Sequence, residues 1–131
     1  MPGPVITGTG QWANVPITLA AETAAIISEQ VTVGKDAAIA FILAWGQLTI
    51  GAACTSVTAR IRRGAGLAGA LISEENPELV KGAVGSTEPF FMFAAENIRR
   101  TDTVRYTLTL QQIAATADGA FLQGGILVII P

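Results

Sequence analysis

Six arginines stand in three places along a chain otherwise poor in charge: Arg60, Arg62 and Arg63, then Arg99 and Arg100, then Arg105. A guanidinium is a rigid fork of donors that grips carboxylates and phosphates two bonds at a time. Arg60 and Arg62 lie two residues apart, so a strand would place them on one face, and Arg105 holds the same kind of position in a second alternating stretch. If the two strands are neighbours, these side chains share a basic face. That face either grips an anion, on a partner protein or a sugar acid, or is solvated and paired to the chain's own Glu74, Glu75, Glu78, Glu88 and Glu96. Pairing and solvation is the ordinary fate of arginines on strands.

Little other chemistry is on offer. Glu74, Glu75, Asn76 and Glu78 form the densest acidic run, but it has Pro77 where a calcium loop bends at glycine, and it holds no aspartate. A solvated loop is expected there, and no metal. The chain has no histidine and a single cysteine, Cys54. A transition-metal site therefore lacks ligands, an intrachain disulfide is impossible, and a cysteine nucleophile has no imidazole base. Cys54 is expected to be a small buried hydrophobe. Gly64-Ala-Gly-Leu-Ala-Gly has the spacing of a phosphate-binding loop, yet no helix follows it, so its glycines read as a turn. Paired carboxylates of a glycosidase would want aromatic platforms and a larger scaffold. No catalytic residue, cofactor or metal is expected, and the chain does not read as an enzyme.

Composition points elsewhere. Half of the 131 residues are hydrophobic (50%), only 14% are charged, and the net charge is −2. There is no basic excess to bind nucleic acid and no polybasic anchor for a membrane. The longest apolar run, Ala37 to Trp45, is far short of the roughly 20 residues of a membrane helix. The first residues lack the charged and apolar regions of a secretory signal, so the chain is expected to fold in the cytoplasm. A domain this small exposes much of its chain. A chain this apolar is expected to hide part of that surface against copies of itself or a partner. Trp12 and Trp45 are the candidate anchors of such an interface. Trp45 is read as ordinary core, and Trp12 equally as interface anchor or ordinary core.

Residues 1–14 are rich in glycine and proline and read as an extended N-terminal arm, with a single domain over 15–131. Strands are expected from Val15, over Ala24 to Val33, and over Ala37 to Ile50. The clearest is Thr55 to Arg63, with Val57, Ala59 and Ile61 inward and Ser56, Thr58, Arg60 and Arg62 outward. A short strand is expected over Leu67 to Ile72, and a brief strand or a turn over Leu79 to Val84. Another runs from Phe90. Thr103 to Gln111 alternates as cleanly, with Val104, Tyr106, Leu108 and Leu110 inward and Arg105, Thr107 and Thr109 outward. A last strand, broken at Gly124-Gly125, runs from Phe121 to Ile130. The whole reads as an all-β, antiparallel β-sandwich, with a jelly roll as its eight-stranded form. The cysteine and tryptophan spacing of an immunoglobulin domain is missing.

The stretches Thr55 to Gly66, Val104 to Gln111 and Gly124 to Ile130 resemble the short jelly-roll proteins found among phage structural components. This likeness spans about half of the chain and is a pattern of strand types, with no catalytic residue to carry over. It implies a homo-oligomer, with a trimer favoured, that sits in the virion as a decoration or cement protein on a capsid shell. The alternative it implies is the receptor- or glycan-binding head of a tail fibre, with Arg60, Arg62 and Arg105 or the loops at 73–78 and 97–102 as the binding face.

Overall fold

The computed structural model of the chain describes residues 5–12, 14–17, 21–33, 37–49, 57–75, 87–99, 102–112 and 119–131. Among these residues eleven strands follow one another: β1 Val5–Gln11, β2 Val15–Ile17, β3 Thr23–Ile27, β4 Val31–Thr32, β5 Ala37–Thr49, β6 Val57–Arg63, β7 Leu71–Glu75, β8 Thr87–Arg99, β9 Thr103–Val104, β10 Tyr106–Gln112 and β11 Gly119–Ile130. No helix among the described residues is long and apolar enough to cross a membrane.

One sheet has the order β1-β11-β5-β8, with β2 also paired to β11; the other has β3-β10-β6-β7, and β4 with β9 forms a small ribbon. The order has a simple origin. The antiparallel pairs β1·β11, β3·β10, β5·β8 and β6·β7 are the rungs of one long hairpin with β6 and β7 at its tip. Rolling that hairpin adds the contacts β11·β5 and β10·β6. Successive rungs then alternate between two facing sheets, which is the jelly roll.

Alternation decides what lies between the sheets. Val57, Ala59 and Ile61 of β6 and Tyr106, Leu108 and Leu110 of β10 are buried, as the period of two requires. Ile42, Ala44 and Leu48 of β5, Phe90 and Met92 of β8, and Phe121, Ile126 and Val128 of β11 meet them from the other sheet. Phe90 and Phe121 pack edge to face with ring centroids 6.3 Å apart.

Several expectations are corrected. Residues 5–11 of the stretch read as an arm form β1, paired along its whole length with β11 from Val5↔Ile130 to Gln11↔Gly124. Without that partner β11 would present a row of open backbone donors and acceptors. β5 runs unbroken through Gly46 over the stretch expected, β8 runs longer than expected, and β11 continues through Gly124 and Gly125, its register shifting between Phe121 and Gln123. Ser73, Glu74 and Glu75 belong to strand β7 rather than a loop. Trp45 is not core: it points outward and is 42% exposed. Its run is apolar at both parities, so alternation could not choose a face, and small Ala44 and Gly46 took the interior beside Phe121. Cys54, the stretch 79–84 and Glu78 lie outside the described residues.

Candidate functional site

The outer face of the β3-β10-β6-β7 sheet carries the arginines. In register, Thr109 stands opposite Arg60 and Thr107 opposite Arg62. Both threonines were expected to face solvent, yet both are fully buried. Two covers explain this. The segment after Arg63 folds back over the sheet: the Thr107 hydroxyl donates to the Gly64 carbonyl (2.7 Å) and accepts from the Gly66 N–H (2.9 Å). Gly64 and Gly66 hold φ of +98° and +93°, which favours glycine. No helix follows, so the loop closes on its own sheet.

The second cover is Glu22, just before β3. Its Oε1 accepts from Arg60 Nη1 (3.0 Å) and from the Thr109 hydroxyl (2.9 Å), and its Oε2 from Arg62 Nε (3.0 Å). Arg60 Nε also donates to Glu74 (2.5 Å), and Arg62 Nη1 to the Gly69 carbonyl (3.1 Å). Partial burial pushes the Glu22 carboxyl upward, but the bonds from Arg62, Thr109 and Arg60 outweigh it and hold it below the ordinary 4.5. Desolvation likewise lowers Arg60, and Glu74 and Glu22 more than reverse it. The arginines therefore grip a carboxylate belonging to this chain.

Arg105 does not join them. It lies between β9 and β10, its carbonyl accepts from the Gly64 N–H (2.6 Å), and its Nε is buried with no hydrogen-bond partner among the described residues. Arg63 instead bridges Glu96 (3.6 Å) and Asp102 (3.3 Å). Asp102 also caps the Arg99 N–H (2.8 Å), and that bond, with help from Arg63, keeps its carboxyl below the usual value. Tyr106 reaches from one sheet to Glu96 on the other, its hydroxyl donating at 2.6 Å. Among the described residues no group of three or more His, Cys, Asp or Glu is placed to hold a metal ion.

The other outer face, on β1-β11-β5-β8, is apolar. The register aligns Ile6, Ile129, Phe41 and Ala95 in one row, Gly8, Leu127, Leu43 and Phe93 in the next, and Gly10, Gly125, Trp45 and Phe91 in a third. Ile6, Ile39, Trp45, Phe91 and Phe93 are 42–62% exposed. Phe41 and Phe93 stack with centroids 6.0 Å apart. Together the exposed side chains leave on the order of 500 Å² of apolar surface in water, at the top of what a typical monomer shows in one patch. At one end of the face Trp12, 77% exposed, and Trp45 flank a cleft of about 550 Å³.

Sequence reasoning singled out Trp12 but missed this face, because its rows are assembled from four strands. It also missed Glu22, whose partners lie about forty residues away in sequence. A lone glutamate ahead of a strand carries no signal of its own.

Fold and surfaces together define a jelly-roll sandwich with one ion-paired outer face and one apolar outer face. No protein-family model matches the sequence, and no curated protein matches it. Among solved structures, the chain is similar to one from the Bacillus endospore appendages, a family of disulfide-linked pili, at 16% identity and a TM-score of 0.41, over 98% of this chain and 89% of that one. It is also similar to a chain of infectious bursal disease virus, Gx strain, at 12% identity and a TM-score of 0.41, over 98% of this chain and 32% of the viral one.

Proposed function

We infer that the protein is a non-enzymatic structural subunit that assembles with copies of itself through the outer face of the β1-β11-β5-β8 sheet. One observation carries this reading: Ile6, Ile39, Phe91 and Phe93 lie exposed on a continuous sheet face that no other part of the described chain covers. A stable interface takes about 800 Å² from each partner, and this patch with the half-buried Phe41, Leu43, Leu127 and Ile129 around it is of that order. The finer reading, a trimeric decoration protein on the shell of a phage-like virion, rests on the resemblance of its strand pattern. Arg60 and Arg62 are not advanced as a receptor grip, since Glu22 and Glu74 already engage them.

Sedimentation velocity at micromolar concentration tests the assembly. The wild type is expected to sediment as an oligomer, at the mass of three chains for the trimer. The double variant Phe91→Ser, Phe93→Ser is expected to sediment as a folded monomer. A wild-type monomer at every concentration would overturn the reading. Co-sedimentation with capsid shells then tests the decoration role.

A further inference from the structure

The cleft between the two tryptophans has a construction that the apolar patch does not explain. Gly10 of β1 pairs with Gly125 of β11, which pairs with Trp45 of β5. A Cβ on Gly125 would stand 2.4, 2.8 and 2.9 Å from Cζ2, Cη2 and Cε2 of Trp45. Carbons that close would clash, so the indole occupies the space a side chain at 125 would take and packs against bare glycine backbone. A Cβ on Gly10 would stand 3.3 Å from Nε1 and 3.5 Å from Cε2 of Trp12. Two large rings on a glycine floor thus border a space of about 550 Å³, the size of a small-molecule site.

Its polar groups are specific. Gln123 Nε2 donates to Gln47 Oε1 at 3.0 Å. That bond orients both amides and leaves the Gln47 NH₂ as a donor and the Gln123 oxygen as an acceptor on two residues that line the cleft. Neither indole N–H has a hydrogen-bond partner among the described residues. No described residue lining the cleft carries a charge.

We propose that this cleft binds a neutral carbohydrate, stacked on the indoles of Trp12 and Trp45 and hydrogen-bonded by Gln47 and Gln123. A pyranose has an apolar C–H face that suits an exposed indole and a rim of hydroxyls that suits adjacent amide donors and acceptors. An anionic or cationic ligand would meet no counter-charge among the described lining residues. A purely apolar side chain would bury the two amides without partners. The site goes beyond the assembly reading; it shares Trp45 with the apolar face but takes Trp12, Gln47 and Gln123 from outside that reading, so the two are tested apart.

The test is tryptophan fluorescence and calorimetric titration with neutral hexasaccharides: β-1,4-glucan, α-1,4-glucan, β-1,4-linked N-acetylglucosamine and α-mannan. At least one is expected to bind and shift the emission. Trp12→Ala and Trp45→Ala are each expected to weaken that binding at least about tenfold, and Gln47→Ala with Gln123→Ala to do the same. Trp12 is so exposed that its variant must remain folded, which circular dichroism checks. The Phe91→Ser, Phe93→Ser variant is expected to keep binding, which separates failure of the site from failure of the assembly. The proposal is overturned if no hexasaccharide binds at about 10 mM, or if binding survives both tryptophan variants. It is equally overturned if only charged glycans or a proline-rich peptide occupy the cleft.

Discussion

Arg62 Nε lies 3.0 Å from Glu22 Oε2 across a separation of 40 residues, and the same carboxylate holds Arg60 and Thr109. One acid thus bridges two guanidiniums and accepts from a buried hydroxyl, Glu74 supplying the second negative charge. The Glu22 and arginine side chains are only 14% and 20% exposed, so water screens them weakly. Glu22→Gln would leave two like charges facing each other. A loss of about 1–3 kcal/mol is expected, read by urea denaturation at neutral pH. An unchanged midpoint would show that the cluster is ornamental.

The same group sets an acid limb. Its carboxyl is held below the ordinary 4.5 in the folded chain, so its contribution is complete above 4.5. It is lost as pH falls through the lower, folded value, because the unfolded chain takes up the proton first. Stability measured from pH 6 downward should therefore fall more gently in Glu22→Gln than in the wild type. Parallel curves would argue that other carboxylates carry the acid dependence.

At the alkaline end the chain holds a single tyrosine, so its ionisation is read without interference. Burial, and then the bond to Glu96, push the Tyr106 hydroxyl far above its ordinary 10.0. Stability is expected to be whole below pH 10 and to fall above it, where only the unfolded chain ionises. Absorbance at 295 nm should rise together with unfolding rather than before it. Tyr106→Phe should remove this coupling at a cost of about 1 kcal/mol.

Adjacent phenylalanines on β8 test the register. Phe90 is 7% exposed against Phe121, whereas Phe91 is 61% exposed on the outer face. Phe90→Ala should cost about 3–5 kcal/mol of protomer stability. Phe91→Ala should cost within about 0.5 kcal/mol when measured on the dissociated protomer. Equal losses would place β8 in the wrong register.

Gly69 tests the loop that covers Thr107. A Cβ there would stand 1.5 Å from the Arg63 carbonyl oxygen, a backbone atom that cannot step aside. Gly69→Ala should cost at least about 2 kcal/mol, toward the upper end of overpacking losses, and speed amide exchange at Thr107 and Gly66. A thermally neutral variant would mean the loop packs otherwise.

Where polar and apolar residues strictly alternate, as in Val57 to Arg63 and Val104 to Leu110, the sequence alone decided which side chains enter the core, because a strand's period of two leaves one choice. It also decided that charge would be scarce. Ala37 to Trp45, apolar at every position, left the face of Trp45 undetermined until neighbouring strands and the Phe121 ring divided the space. The burial of Thr107 and Thr109 depended on a glycine loop and a glutamate brought over them by the roll of the sheets. The glycine floor under the tryptophans exists only where β1, β11 and β5 lie side by side. Contacts between residues distant in sequence leave no local pattern, so only the tertiary structure reveals the covered polar face and the bare apolar one.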